Sequence, residues 1–518
     1  MNLFAIMRQK YQPVLPKILA KPSHVVLQKQ KRQNQDNDNL KTLFPKTWEQ
    51  TGSLLVPGKG ETRALRIGVL FSGGQASGGH NVIAGLMDAM QEGNLDSELI
   101  GFLDGPSGVI SNKARVLHSQ DIDAVRNLGG FHLIGSGRTK IETKEQRESC
   151  IKTCKALSLD GIVIIGGDDS NTNAAILAEY FLAHGCDTKV IGVPKTIDGD
   201  LRSEEIEISF GFDSACKTYA ELIGNIALDA LSAKKYYHVV KLMGRSASHI
   251  TLECALATHP NLALIGEERE SLASIVKKIA DLVCARSEQG KEYGVILIPE
   301  GLIEFIPEMG ACITELNQLL SSGRKIEHLT EKSGALFESL PEKIQKQLLL
   351  DRDPHGNIAL SQVETESLLI ELVSQELSKR PSYRGKFSPI SHFFGYEGRA
   401  CYPSNFDANY CYSLGVMAAI GVREGATGMI CAMQKMKGPV SDWEPSLVPL
   451  TQLMHLEERN GKEKPVIEKA LVDLKSKSFH QFVEMRGRWS LEDSYQAPGP
   501  IQFFGDSLLT DSSPRILG

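Results

Sequence analysis

No stretch of this 518-residue chain stays apolar for the roughly 18 to 20 residues a bilayer-spanning helix needs, which excludes a transmembrane segment. Neither sign of charge dominates. The 57 Lys+Arg against 63 Asp+Glu leave a formal charge of -6, so no global basic field exists to hold nucleic acid or an anionic membrane, and only a local basic pocket stays open. The ten cysteines form no C-x-x-C pair. The nearest two, Cys150 and Cys154, fall in an amphipathic run where they read as half-buried helix residues. With no signal peptide either, the expectation is reduced thiols in a cytoplasmic chain. No repeat recurs at periods of roughly 20 to 50 residues, and low complexity is limited to a mild Gln/Asn/Asp bias near residues 28–39, which argues against a solenoid. What remains, 42% hydrophobic and 23% charged over 518 residues, is the composition of an ordinary globular protein with two or three packed domains.

Residues 1–34 carry seven Lys/Arg and no acid, a bias that organelle transit peptides share. Only one serine, Ser23, lies there, and Tyr11-Gln-Pro-Val-Leu-Pro reads as a segment docked on a domain, so a packed or solvated arm is expected. From Arg66 onward, short β-branched runs alternate with helical periodicity, the signature of βα units building a mostly parallel sheet. The strands expected are Ile67–Phe71, Leu99–Leu103, Ile162–Ile165, Val190–Val193, His238–Leu242 and Val295–Ile298, with a helix from Asn171 to His184 closing at Gly185. Residues 308–390 turn Leu/Glu/Lys/Gln-rich with helical spacing and read as a helical insertion. The expected organisation is an arm and linker (1–60), a first α/β domain (61–235), a second assembled from 236–307 and 391–456 around the insertion (308–390), and a charged C-terminal segment (457–518).

Ligands of such sheets bind at the carboxyl ends of the strands. The first strand runs into Ser72-Gly73-Gly74-Gln75-Ala76-Ser77-Gly78-Gly79-His80-Asn81, with a helix starting near Gly79. Four glycines let backbone N–H groups approach an anion at a helix N-terminus, so a phosphate site is the natural inference, although a Gly-rich βα turn is as often purely structural. The spacing fits neither a Walker loop nor a dinucleotide fingerprint. A later turn, Gly166-Gly167-Asp168-Asp169-Ser170-Asn171, sets two carboxylates before a helix, where they read equally as capping residues. A second acid cluster follows in Pro194-Lys195-Thr196-Ile197-Asp198-Gly199-Asp200. Phosphoryl transfer from a polyphosphate to a hydroxyl needs a cation, donors around the phosphates and a base. Asp168 suits a Mg²⁺ anchor, the Gly73 and Gly74 amides with Lys195 suit phosphates, and Asp198 suits the base. An extended segment would put Asp198 and Asp200 on one side, where Asp200 tunes its neighbour or reaches the metal through water.

With these loops the chain resembles the phosphofructokinases, and within them the long pyrophosphate-dependent type. The resemblance covers most of the chain and includes Leu133-Ile-Gly-Ser-Gly-Arg138, Lys234-Lys235-Tyr236-Tyr237, Met243-Gly244-Arg245, Pro299-Glu300-Gly301-Leu302-Ile303-Glu304 and Gly395-Tyr396-Glu397-Gly398-Arg399. It extends to Tyr11-Gln12-Pro13 and to Asp353-Pro354-His355-Gly356-Asn357. The family implies two doubly wound Rossmann-like domains with mostly parallel sheets, the first holding diphosphate and Mg²⁺ and the second fructose 6-phosphate. It implies Asp198 as the base for the sugar 1-hydroxyl, oriented by Thr196, with Asp200, Arg245 and Lys195 sharing the catalysis. Met243, Gly244, Arg245 and Glu300 would hold the sugar, and Tyr396, Glu397, Gly398 and Arg399 the 6-phosphate. Arg138 and Asp169 would join Gly73, Gly74 and Lys195 at the diphosphate. Lys235 and Tyr236 would reach across a subunit interface of a homodimer or higher homo-oligomer. Met243 reads alternatively as core packing, and Lys235 as a solvated charge.

Donor choice turns on two positions, because ATP-dependent members are expected to carry glycine in place of Asp169 and usually in place of Lys195. A carboxylate where a nucleotide's α-phosphate would lie costs ~4 kcal/mol at ~4 Å and an effective dielectric of ~20, whereas Lys195 adds a cation for a donor without a nucleoside. The resemblance therefore implies reversible transfer from diphosphate to fructose 6-phosphate. The alternatives are a catalytically weak regulatory subunit, opposed by the presence of Asp168, Asp198, Asp200, Arg245 and Arg399, and an ATP-dependent enzyme. A NAD-dependent oxidoreductase has its acid in Asp104 but the wrong glycine spacing.

Overall fold

Runs such as Ile162-Val-Ile-Ile165 have no polar alternation and therefore need cover on both faces, which a parallel sheet flanked by helices supplies. In the computed structural model, which describes residues 2–31, 37–350, 358, 362–459 and 462–518, they form the centre of such a sheet. The chain divides into two compact units. One comprises Met1–Ala215, Glu397–Ala470 and Ile501–Leu517, and the other Cys216–Tyr396 and Leu471–Pro500 with Gly518.

The first unit is built on a ten-stranded sheet. Its middle is parallel, with Met429–Gln434, Lys189–Pro194, Gly161–Gly166, Arg66–Ser72 and Glu98–Phe102 side by side in that order. Antiparallel strands finish both edges, with Glu444–Pro449, Ser53–Pro57 and Val25–Lys29 on one and Ala114–Leu117 on the other. A two-residue strand, Ser136–Gly137, lies parallel to the end of Arg66–Ser72. All six strands expected from the sequence are present, four of them here. Three assignments change. Residues 1–60 are more than an arm and linker, because Val25–Lys29 and Ser53–Pro57 are sheet strands and the buried Arg8 guanidinium donates to Asn405 Oδ1 at 2.7 Å and to the Pro403 carbonyl at 2.8 Å. Met429–Gln434 and Glu444–Pro449, expected in the second domain, belong to the first unit, where Met429–Gln434 pairs with Lys189–Pro194 and Glu444–Pro449 with Met429–Gln434 and Ser53–Pro57. Cys150 and Cys154 are fully buried in the helix Lys144–Ala156, facing the core rather than its edge, and all ten cysteines are free thiols.

The second unit has a four-stranded parallel sheet in the order Leu262–Ala263, Tyr293–Pro299, Tyr236–Leu242, Pro389–Phe394. The expected insertion is helical, with Pro307–Ser321, Glu331–Ser339, Glu342–Leu350 and Thr365–Ser378, and it shares one apolar core with the sheet: Ile313, Leu368 and Val373 sit in the same cluster as Val239, Ile296 and Ile298. A buried ion pair, Lys241 Nζ to Glu366 at 3.0 Å, ties the last of these helices to the central strand. The sequence motif at 353–357 lies outside the described residues. The expected charged tail also carries the helix Lys477–Leu491, where Trp489 and Phe482 are buried and Arg286 pairs with Asp493 at 2.8 Å.

Candidate active site

In the first unit the functional side chains gather at the carboxyl ends of Arg66–Ser72, Gly161–Gly166 and Lys189–Pro194. Gly73 turns with φ of 88°, a conformation that disfavours any side chain. Its N–H is already committed to the Gly137 carbonyl at 2.9 Å, so the expectation that this amide faces phosphate fails, whereas the Gly74 N–H has no protein acceptor among the described residues. Lys195, 5% exposed, donates from Nζ to the Gly74 carbonyl at 2.7 Å. Burial brings its ammonium down to about 8; Asp198 and Asp168 pull it back up, and Arg399 and Arg138 push it further down. Those causes locate Asp198, Arg399, Asp168 and Arg138 around one amine. The Arg399 guanidinium carbon stands 3.5 Å from where a Cβ on Gly74 would lie.

Asp168 and Asp169 occupy the first turn of the helix Asp168–Ala183, which starts three residues before the expected Asn171. The N-cap is Gly167, so neither acid is the N-cap residue, although both sit in the first turn, where the helix dipole favours a carboxylate. Asp168 meets Lys469 Nζ at 3.6 Å, and Asp169 meets Lys140 Nζ at 3.4 Å. Neither lysine was visible as a site residue in the sequence, because each lies far along the chain from the acid it serves and in no recognisable motif.

The Lys195–Asp200 segment is not extended as expected: it bends, with Gly199 at φ of 73°. The bend is braced by the Asp198 N–H donating to Thr196 Oγ1 at 3.1 Å, so Thr196 acts on the backbone that presents the acid. Asp198 is half-buried and remains reachable, whereas Asp200 is 6% exposed. Burial, then Asp198, then Asp168 push the Asp200 carboxyl up to about 7, while Lys469 pulls it down. Three mutually repelling carboxylates are a setting that a divalent cation relieves. Among the described residues no three His, Cys, Asp or Glu side chains form a protein cage, but Mg²⁺ is commonly held by one or two carboxylates with water and substrate phosphates, and the half-buried Asp168 fits that pattern.

The second unit carries most of the remaining residues. Met243-Gly244-Arg245 follows the strand Tyr236–Leu242, and the Gly244 N–H donates to Glu300 Oε2 at 2.9 Å. Glu300 is 2% exposed and its own N–H donates to the Leu242 carbonyl at 2.8 Å, so it props the loop from beneath. At Gly301 an added Cβ would stand 1.9 Å from the Arg245 carbonyl, so only glycine fits. The Arg245 side chain is exposed. Met243 is buried against Gly395, which gives it a packing role whatever else it touches. Tyr396 is 64% exposed, Lys235 is exposed and Tyr236 is 42% exposed with φ of 72°. Glu397, exposed, and Gly398, buried, belong with Arg399 to the first unit.

Residues 66–422 match the family model described as phosphofructokinase. Curated relatives named pyrophosphate--fructose 6-phosphate 1-phosphotransferase include one from Porphyromonas gingivalis, 48% identical over 98% of this chain and 97% of its own length, and one from Treponema pallidum, 49% identical over 92% and 89%. The relative named as its subunit beta 1 in Arabidopsis thaliana is 50% identical over 90% of this chain and 86% of its own. Among solved structures, the pyrophosphate-dependent phosphofructokinase from Nitrosospira multiformis superposes with a TM-score of 0.58 at 16% identity, covering 87% of this chain and 96% of that one, a likeness of fold. Two α/β units on mostly parallel sheets, a glycine turn joined to an acid-rich bend by a buried lysine, and full-length relatives at this identity place the chain in the phosphofructokinase family.

Proposed function

We propose that the chain transfers a phosphoryl group reversibly from diphosphate to the 1-hydroxyl of fructose 6-phosphate, giving fructose 1,6-bisphosphate and phosphate, with Mg²⁺ as cofactor. The observation that carries this reading is the buried Lys195, whose Nζ donates to the Gly74 carbonyl while the charges of Asp198, Arg399, Asp168 and Arg138 act on it. The names of the near full-length relatives support the same substrates.

In the forward direction the Asp198 carboxylate takes the proton of the 1-hydroxyl as that oxygen bonds to the terminal phosphorus. The bridging P–O bond breaks and its electron pair leaves with phosphate. Thr196 holds the bend that aims Asp198. The Gly74 N–H, Lys195 and Arg138 receive donor oxygens. Arg245 stabilises charge on the transferring group while Glu300 fixes its loop. Asp168 would hold Mg²⁺, which when bound neutralises phosphate oxygens. We assign Lys235 and Tyr236, both exposed, to contacts with a second copy in a homodimer or higher homo-oligomer, and the chain to the cytoplasm, which the ten free cysteines suit. No helix among the described residues is long and apolar enough to cross a membrane.

Aldolase-coupled turnover of the purified protein with fructose 6-phosphate and Mg²⁺, offered diphosphate or ATP in turn, tests the reading, and turnover with ATP alone overturns the donor. Two further outcomes are expected. Because Lys195 is charged below about 8, kcat/KM for diphosphate should fall as pH climbs through that value; a pH profile that stays flat well beyond it removes the ammonium from donor binding. Arg399→Ala should raise KM for fructose 6-phosphate about tenfold or more, since a charge-assisted contact to the non-reacting phosphate exists in ground and transition states alike. A rise confined to diphosphate assigns the guanidinium to the donor, beside Gly74.

A further inference from the structure

The hairpin Met454–Arg459 with Lys462–Ile467 anchors a short strap on the first unit, its Met454 and Ile467 buried in the core. The Ile467 N–H donates to Thr172 Oγ1 at 3.2 Å, on the helix that begins with Asp168, and the Ala470 N–H donates to the Asp200 carbonyl at 2.8 Å. Between these two fixed points stands Lys469. Its root is held to the helix on one side and the acid-rich bend on the other, while its head is 37% exposed and lies 3.6 Å from Asp168 Oδ2. The other lysines here are differently placed: Lys195 is buried and pinned on Gly74, and Lys140 is taken by Asp169. Lys469 thus combines a fixed root with a long, hydrated, re-orientable head.

The carboxylate it pairs with, Asp168, is the one suited to the divalent cation. A cation at Asp168 competes with the ammonium for that carboxylate and repels it, and the same cation arrives with phosphate oxygens that attract it. We propose that Lys469 is a diphosphate-binding residue: its ammonium rests on Asp168 in the unliganded chain and passes to a donor phosphate oxygen when the metal takes Asp168. The inference rests on the reading of the chain as a diphosphate-using transferase, and it deepens that reading by giving the donor a further cation, beyond Lys195 and Arg138, supplied from the C-terminal part of the chain. A free diphosphate has no nucleoside to hold it, and a movable charge makes up part of that deficit.

The test uses full-length wild type, Lys469→Met and Lys469→Arg. Mn²⁺ alone is titrated by electron paramagnetic resonance, diphosphate with Mg²⁺ is titrated by calorimetry without sugar, and steady-state constants are measured for both substrates. Lys469→Met should weaken diphosphate binding and raise its KM about tenfold, leave KM for fructose 6-phosphate within about twofold, and bind Mn²⁺ as tightly as wild type or more so; Lys469→Arg should restore most of the loss. The opposite behaviour of metal and diphosphate is the signature, because a merely structural lysine would weaken both. A change in diphosphate affinity below about threefold, or a parallel fall in both affinities, overturns the proposal. Wild type that binds diphosphate with this lysine dependence but transfers nothing to the sugar overturns the assigned reaction instead. Wild type that binds no diphosphate overturns both.

Discussion

Replacing Asp198 by alanine is expected to lower kcat by roughly 10² to 10⁴ while the dissociation constant for fructose 6-phosphate stays within about twofold, because a general base acts on the transition state rather than on the bound sugar. The geometry adds a control. Thr196 Oγ1 accepts from the Asp198 backbone, not from its side chain, so the bend survives the substitution and the loss is chemical. Asp200 sits two residues on, with its carboxyl near 7 in part because of Asp198, and removing that negative neighbour lowers it. Any residual activity should therefore keep a carboxylate at lower pH than wild type. Rapid-quench rates with a sugar-binding titration decide the matter, and a variant that keeps near wild-type kcat moves the base elsewhere.

Donor exchange should be nearly as large an effect. Asp169→Gly should raise the ratio of kcat/KM for ATP to that for diphosphate by about tenfold or more, since it removes bulk and charge from where an α-phosphate would lie. The ion pair with Lys140 at 3.4 Å already offsets part of that charge, so bulk carries more of the exclusion than the sequence suggests. The substitution also frees Lys140 for a nucleotide phosphate. Lys195→Gly should chiefly cost diphosphate, about 10² in kcat/KM, by removing a buried donor cation and leaving the Gly74 carbonyl without its partner. With both residues assigned to the diphosphate site in the proposed reading, the double variant should favour ATP beyond the sum of the singles. Four variants against two donors give the full cycle. A folded Asp169→Gly protein that still binds fructose 6-phosphate but gains nothing in the ATP ratio places selectivity elsewhere, in the Gln75–His80 loop.

The parallel strands were legible because burial on both faces leaves a continuous β-branched run, as in Ile162–Ile165. The edge strands Val25–Lys29 and Ser53–Pro57 were not, because a short strand among polar residues gives no period strong enough to separate it from a linker. In the site, the residue types of consecutive motifs single out Lys195, Asp168 and Asp198 as candidates for phosphate chemistry. What the motifs could not carry was the third dimension. Gly73 looks equivalent to Gly74 until the Gly137 carbonyl takes its N–H, and Asp198-Gly-Asp200 reads as extended until Gly199 adopts positive φ. Lys140 and Lys469 were illegible for a simpler reason: a charge that arrives from a distant segment leaves no spacing to read.

The order of strands in the first unit also bears on how the chain is made. Lys189–Pro194 lies beside Met429–Gln434, and between the two in sequence comes the entire four-stranded sheet with its helices. During synthesis at roughly 5 to 20 residues per second, the ribosome delivers the later strand some ten to fifty seconds after the earlier one. For that interval the nascent sheet shows an open, apolar edge in Lys189–Pro194, the kind of edge that recruits other strands. In the second unit the first neighbour of Tyr236–Leu242, Tyr293–Pro299, follows within a far shorter stretch of chain, and the other, Pro389–Phe394, completes the sheet later. Overproduction should therefore favour slow elongation or a holding chaperone, and aggregates formed on the ribosome should protect Lys189–Pro194 from hydrogen exchange.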